Sequence, residues 1–160
     1  MEYKVVAIPE NISSEVRRTL VSPQYKSLAA TVSVANGYGP CRSCLRVFDQ
    51  GADRRIYLTY NSFDGLSPLP DPGPIFIHEN DCARYASDGF PPDILDLPVY
   101  LEAFADESRF IERTAMDRRS VEAQITGLFA NDQVRFINLR NAEAGCFIAR
   151  VEKSNAPTES

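Results

Sequence analysis

Short segments rich in β-forming residues, two pairs of which are joined by links of hairpin length, set the frame of this chain of 160 residues. Residues 55–60, for example, place Ile56, Leu58 and Tyr60 on one face and leave alternate positions to the other. Links this short favour antiparallel pairing, because parallel strands need a longer crossover. The predicted strands cover residues 2–8, 28–35, 55–60, 74–78, 99–105, 109–115, 134–140 and 146–152.

The helical signal is weaker. Apolar residues recur at helical spacing near residues 120–130, which predicts the main helix there. A shorter helix is expected after a cap at Asn11 or Ser13. The chain is therefore predicted to be a single α+β domain over residues 1–153, with a curved antiparallel sheet and one or two helices packed on a face. Residues 154–160 read as a polar C-terminal tail.

Charge and composition exclude several classes of partner. The net charge is −5 and the pI is about 4.9, which opposes binding to nucleic acid or to an anionic membrane. The first residues lack the basic and apolar regions of a signal peptide, and no segment has the length of a membrane span. We expect a cytoplasmic protein whose cysteines are reduced.

Four phrases of the sequence carry a family resemblance: Gly-Tyr-Gly-Pro-Cys-Arg-Ser-Cys-Leu-Arg at 37–46, Leu-Thr-Tyr-Asn at 58–61, Gly-Pro-Ile-Phe-Ile-His at 73–78, and Arg-Asn-Ala-Glu-Ala-Gly-Cys-Phe-Ile-Ala-Arg-Val-Glu at 140–152. Together they resemble the family known as domain of unknown function 1203, over about residues 28–152. The resemblance implies a bacterial source and no particular activity.

The four cysteines and the single histidine are the residues best suited to chemistry. Cys41, Cys44, His78 and Cys82 form a C-x2-C and H-x3-C pattern, which is the ligand spacing of a zinc site. The second half of this pattern leaves a predicted buried strand and lacks the glycines of a tight metal-binding turn. The domain is also long enough to fold around its own core without a metal.

The choice between these interpretations depends on residues 41–48. As a helix, the segment would place Cys41 and Cys44 one turn apart, as in a redox dithiol. As a strand, it would direct the two thiols to opposite faces, where they cannot share a metal or a disulfide. We favour the strand, and we therefore predict no bound zinc and no cofactor.

A site for a small anionic molecule is the main functional hypothesis. If the bend at residues 37–42 folds onto the turn at residues 140–146, guanidinium, amide and thiol groups converge. Cys41 is the candidate nucleophile, and the candidate binding residues are Arg42, His78, Arg140, Asn141 and Cys146.

Two alternatives stay open. The first is a non-catalytic structural or interaction protein, and the second is a zinc-stabilised module that uses the four Cys and His residues named above. His78 could also act as a general base, but a lone histidine is more often bonded to a loop at a strand end. The sequence leaves open whether the protein is an enzyme, what its ligand is and which oligomer it forms.

Overall fold

The computed structural model of the chain describes residues 2–37, 39–63 and 73–154. All eight predicted strands are present within these residues. They are β1 Tyr3–Val6, β2 Thr31–Val34, β3 Arg54–Tyr60, β4 Gly73–His78, β5 Val99–Phe104, β6 Phe110–Ala115, β7 Phe136–Asn141 and β8 Phe147–Lys153. The α-helices are α1 Glu10–Thr19 and α2 Val121–Phe129, and single 3-10 turns cover Pro92–Asp96 and Asp106–Ser108.

The α+β class is confirmed, with the difference that the strands form two antiparallel sheets and not one. One sheet has five strands in the order β1-β8-β7-β5-β6, and the other has three in the order β2-β3-β4. The chain crosses between the sheets twice, because β1 belongs to the five-stranded sheet and β2, β3 and β4 form the other. The second crossing follows His78, along a long connection containing Pro91, Pro92 and Pro98 that separates β4 from β5.

Each sheet has its own apolar core. Helix α2 packs on the five-stranded sheet, where Ile125 and Phe129 meet Leu101, Ile137 and Leu139. Helix α1 packs on the three-stranded sheet through Ile12 and Val16. The side chains of Ile56, Leu58 and Ile77 complete that second core. Burial of this kind of side chain contributes roughly 1.5–3 kcal/mol each, so the cores account for most of the fold's stability.

Helix α1 begins earlier than predicted. Its first residue is Glu10 and the flanking residue is Pro9, so neither Asn11 nor Ser13 occupies the cap position. The Ser13 hydroxyl instead donates to the carbonyl of Glu10 at 3.1 Å inside the first turn. The opposite face of the helix is polar, and Arg17 near its end contacts the site described below.

Two remaining expectations concern the ends of the chain and its relation to membranes. Residues 155–160 of the predicted polar tail lie outside the described residues, while Ser154 donates its N–H to the carbonyl of Glu2 at 3.0 Å. Among the helices of the described ranges, none has the length and apolar character needed to cross a membrane.

Candidate metal centre

The four residues of the zinc-like pattern come together at one end of the three-stranded sheet. The ligand atoms of Cys41, Cys44, His78 and Cys82 all lie within 4.8 Å of one another. The Sγ atoms of Cys41 and Cys82 are 3.8 Å apart, and the Sγ of Cys44 is 3.6 Å from Nδ1 of His78. All four cysteines of the chain are free thiols, so the cluster contains no disulfide.

The prediction of a strand over residues 41–48 is wrong. The segment is a tight loop in which Pro40 and Val47 form an isolated antiparallel bridge. The N–H of Cys41 donates to the carbonyl of Arg46, and the N–H of Leu45 donates to the carbonyl of Cys41. These bonds close the chain on itself, so Cys41 and Cys44 point to the same side. The premise for predicting no metal is therefore lost.

The loop makes its turn without glycine. Leu45, directly after the second cysteine, has a φ of 62°, which is the left-handed region. This conformation costs a non-glycine residue roughly 1–2 kcal/mol. The Leu45 side chain is 1% exposed and packs into the core under the five-stranded sheet. Burial of this side chain therefore offsets the strain that lets the loop present both thiols.

Backbone N–H groups are directed at the sulfur of Cys41. The N–H of Ser43 and the N–H of His78 both donate to this Sγ at 3.4 Å. Donors of this kind suit a thiolate, which accepts hydrogen bonds more strongly than a neutral thiol. Cys41 is fully buried, so the loop and the end of β4 hold its sulfur in one position.

His78, the last residue of β4, presents Nδ1 to the cluster and Nε2 to a carboxylate. Nε2 lies 3.2 Å from Oδ2 of Asp53, which also accepts the N–H of Asp49. A histidine that binds a metal through one ring nitrogen commonly donates the other to a carboxylate, which fixes the tautomer. The ring also contacts Phe48 edge-on, with centroids 4.7 Å apart, so it is held on three sides.

Arg17 of α1 ties the last ligand to the rest of the site. Its Nε donates to the carbonyl of His78 at 3.1 Å, and its Nη2 lies 3.3 Å from Sγ of Cys82. A third nitrogen is 3.6 Å from Asp81. The Arg17 side chain is only 8% exposed, so one buried guanidinium connects α1 to the 78–82 segment and supplies positive charge beside a thiol.

Hydrogen bonds among the cluster residues shift their pKa values. Bonds with Cys41 and Cys82 raise the pKa of His78 to about 10, and bonds with the same two cysteines raise the pKa of Cys44 far above its usual value. Bonds from Cys41 and Cys44, assisted by the charge of Arg17, lower the pKa of Cys82 strongly.

One side of the cluster opens on a cleft. Cys44, His78 and Cys82 line part of a cavity of about 910 Å³, whose other walls come from the 45–49 loop and residues 83–93. Cys82 is half-buried, whereas Cys41 and Cys44 are buried. An ion can therefore reach the cluster from solvent, and the open wall carries more carboxylates than guanidiniums.

The other residues predicted for an anionic ligand lie apart from this cluster. The buried side chain of Arg42 turns away from Cys41 and donates to the carbonyls of Phe147 and Pro40, both at 2.7 Å. Burial lowers the pKa of Arg42 to about 10, and the nearby Cys146 acts in the opposite direction. Arg42 therefore reaches the last hairpin at Phe147, one residue beyond the 140–146 turn of the prediction; Tyr38 lies outside the described residues.

Arg140 and Asn141 have partners of their own in the hairpin. The Nε of Arg140 donates to buried Glu102 at 2.8 Å, and its Nη1 donates to the carbonyl of Gly145. Oδ1 of Asn141 accepts the N–H groups of Glu143 and Ala144, so this amide shapes the turn. Arg140 and Cys146 both line a cavity of about 190 Å³, which Arg42 and His78 do not line. The predicted set thus falls into two places.

Two residues of the site were missed by sequence reasoning. Asp53 lies in a turn, where acidic residues are common, and Arg17 belongs to a helix far from the cysteines in sequence. No pattern in the sequence distinguishes Arg17 from the other thirteen arginines. The sequence gives a weak indication of Asp53, because the 49–53 turn leads directly into β3. This strand pairs with β4, which ends at His78.

The fold and the site define an α+β protein of two antiparallel sheets with a Cys3His cluster at the end of the smaller one. A family model described as a protein of unknown function, DUF1203, matches residues 38–153, and the chain belongs to this family. The resemblance seen in the sequence phrases is thereby confirmed. No curated protein and no solved structure matches the chain.

Proposed function

We propose that Cys41, Cys44, His78 and Cys82 bind one structural zinc ion and that the protein is a zinc-stabilised module. The observation that carries this proposal is the separation of the four ligand atoms, all within 4.8 Å of one another. Three sulfurs and one imidazole nitrogen form a donor set that zinc favours among the biological metals. This function is the one that the sequence left as an alternative.

The distances between ligand atoms support a tetrahedral ion. With Zn–S bonds of about 2.3 Å and a Zn–N bond of about 2.0–2.1 Å, tetrahedral S···S edges are about 3.8 Å and S···N edges about 3.6 Å. The Cys41–Cys82 and Cys44–His78 separations are 3.8 Å and 3.6 Å. Two of the six edges of a tetrahedral site therefore have the required length, and the other four pairs of ligand atoms lie within 4.8 Å.

The number and surroundings of the ligands favour a structural over a catalytic role. Four protein ligands complete a tetrahedron and leave no position for a water or a substrate. Three thiolates on a divalent cation leave one negative charge, and the guanidinium of Arg17 lies beside Cys82 to balance it. Three reduced thiols are also most stable in a reducing compartment, which favours the cytoplasm.

Metal content provides the direct test. We expect protein purified without added metal to contain one zinc per chain by elemental analysis. Replacement of that zinc by Co²⁺ should give the intense visible bands of a tetrahedral ion and a thiolate-to-metal charge-transfer band in the near ultraviolet. Purified chains that contain no zinc and do not take it up, or cobalt spectra typical of six oxygen ligands, would contradict the proposal.

The carboxylate behind His78 offers a second test. We expect Asp53→Asn to lower zinc affinity by about tenfold. Loss of a carboxylate that bonds a metal-bound histidine typically lowers affinity by about 10–100-fold, and the smaller effect is expected here because the Asp53 carboxylate is partly exposed. Competition with a chromophoric chelator measures this change. The matched control is Asp93→Asn, since Asp93 accepts the N–H of Val47 in the same loop but does not contact the histidine. Equal affinity of both variants would remove Asp53 from the site.

A second candidate function is binding of a small anionic molecule at the last hairpin. The cavity of about 190 Å³ lined by Arg140 and Cys146 supports it, as does the guanidinium of Arg42 near that thiol. Asn141 would act there by shaping the turn. Burial of Cys41 within the cluster counts against its role as nucleophile, and His78 lies with the cluster. The variant Arg140→Gln, used below, tests this candidate.

A further inference from the structure

A separate cavity of about 280 Å³ lies between the start of α1, the end of β3 and the strand β8. Its polar wall includes Arg84, Arg150 and Glu152, and its apolar wall includes Ile12, Tyr60 and Phe147. It contains none of the four cluster residues. Its mixed lining, with charged groups on one side and apolar side chains on the other, is typical of a site for a small amphipathic molecule.

The two arginines in this wall are held in place by neutral partners. Arg84 donates from Nε to the carbonyl of Ile8 at 2.8 Å and from Nη2 to the carbonyl of Ala7 at 2.7 Å. Arg150 donates from Nη2 to the carbonyl of Ser62 at 2.6 Å and lies over the ring of Phe136. Carbonyls and an aromatic face orient a guanidinium without neutralising it.

Neither arginine has a carboxylate partner among the described residues. Arg17, Arg54, Arg113, Arg118, Arg135 and Arg140 each lie within ion-pair distance of an acid. Burial lowers the pKa of Arg150 because the charged form loses water, while the charge of Glu152 acts in the opposite direction. Glu152 in the same wall lies 3.9 Å from Lys4 and is 38% exposed, so the cavity retains an excess of positive charge.

A buried amide stands next to Arg150 and also lacks a partner. Asn138 of β7 faces Arg150 of β8 in the sheet register. Its side chain is fully buried, and neither its oxygen nor its nitrogen has a hydrogen bond. Side chains opposite each other on one face have Cβ atoms about 5 Å apart. The neighbourhood of Arg150 thus holds both unbalanced charge and unsatisfied polar atoms, each costly when buried.

We infer that this cavity binds a small organic carboxylate, whose anionic group lies between the guanidinium groups of Arg84 and Arg150 and whose apolar part contacts Ile12, Tyr60 and Phe147. Two guanidiniums provide the paired N–H donors that carboxylates accept. The apolar wall favours an organic acid over inorganic phosphate. The site is distinct from the zinc cluster. It shares Tyr60, Ser62 and Phe147 with the cavity at Arg140, but its arginines are different ones, and Arg140 is already paired with Glu102.

The test titrates the full chain with sodium acetate, benzoate, succinate and phosphate at constant ionic strength, followed by NMR of arginine Nε–H groups and backbone amides. We expect benzoate to shift the Nε–H signals of Arg84 and Arg150 and the backbone amides of residues 10–12 saturably, and to bind more tightly than phosphate. Arg150→Gln and Arg84→Gln should each weaken benzoate by about tenfold, equal to about 1.4 kcal/mol. Arg150→Lys, which keeps the charge, should retain part of the affinity.

The controls separate this site from the others. Arg119→Gln alters an exposed arginine outside the cavity and should bind benzoate like the unchanged protein. Absence of saturable shifts with all four salts, or unchanged benzoate affinity in folded Arg150→Gln, would overturn the inference. Weaker binding in Arg140→Gln with Arg150→Gln unaffected would also overturn it and would support the second candidate function. Zinc content, measured on the same samples, reports separately on the proposed metal site.

Discussion

Replacement of Cys44 by alanine is expected to abolish stoichiometric zinc. It should also lower the free energy of unfolding by about 4 kcal/mol, because loss of a bound metal is one of the changes that destabilise proteins most. The reason is that the ion joins three separate parts of the chain: the 40–48 loop, the end of β4 and the segment that Arg17 anchors to α1. The side chain removed is small, so little of the loss comes from packing. Chemical denaturation together with elemental analysis measures both effects.

A matched thiol elsewhere in the chain serves as the control. Cys146 is half-buried and lies outside the cluster, so Cys146→Ala should retain zinc and lose about 1 kcal/mol or less. A strong chelator should bring the unchanged protein and Cys146→Ala down to the stability of Cys44→Ala, and it should leave Cys44→Ala as it was. A Cys44→Ala variant that keeps the stability of the unchanged protein would refute a stabilising metal.

At Leu45 we expect an unusual relation between two variants. Leu45→Ala should destabilise the protein by about 3 kcal/mol, as is common for a fully buried leucine. Leu45→Gly removes the same side chain but also the left-handed strain, which is worth roughly 1–2 kcal/mol. Glycine should therefore be no worse than alanine at this position. Urea denaturation of both zinc-loaded variants gives the comparison.

Leu58 provides the matched position for this comparison. It is equally buried but lies in the middle of strand β3, where the backbone is extended. There Leu58→Gly should be less stable than Leu58→Ala by about 0.5–1 kcal/mol, because glycine loses more chain entropy on folding. The same glycine penalty at Leu45 as at Leu58 would show that the loop carries no strain at its turn.

The family and the α+β class were evident from the sequence, and the reason is local. Alternation of apolar residues specifies a strand through contacts only two residues apart, which is why β3 and the hairpin of β5 and β6 were predicted close to their observed bounds. The division into two sheets depends on which strand edges meet across long connections. Nothing in the local pattern of residues 79–98 fixes that outcome.

The loop at residues 41–48 shows where local reasoning fails. Its residues alternate in a way that suits a strand, but the segment closes into a turn because Leu45 takes a left-handed conformation. A leucine in the sequence does not indicate a left-handed backbone. The strain is offset by burial of the Leu45 side chain in a core that other strands build. The prediction of no metal loses its premise for this reason, although the sequence had shown the four possible ligands.

The sequence by itself determined which side chains could supply the thiolate and imidazole ligands that zinc favours, because the chain has four cysteines and one histidine. Tertiary structure alone decided that four of these five converge and that Cys146 stays apart. It also brought Arg17 and Asp53 to the cluster, and it left Arg84 and Arg150 without an ion-pair partner among the described residues. The physical reason is that charge balance and metal geometry depend on distances in space, and residues separated by dozens of positions meet only after the strands have paired.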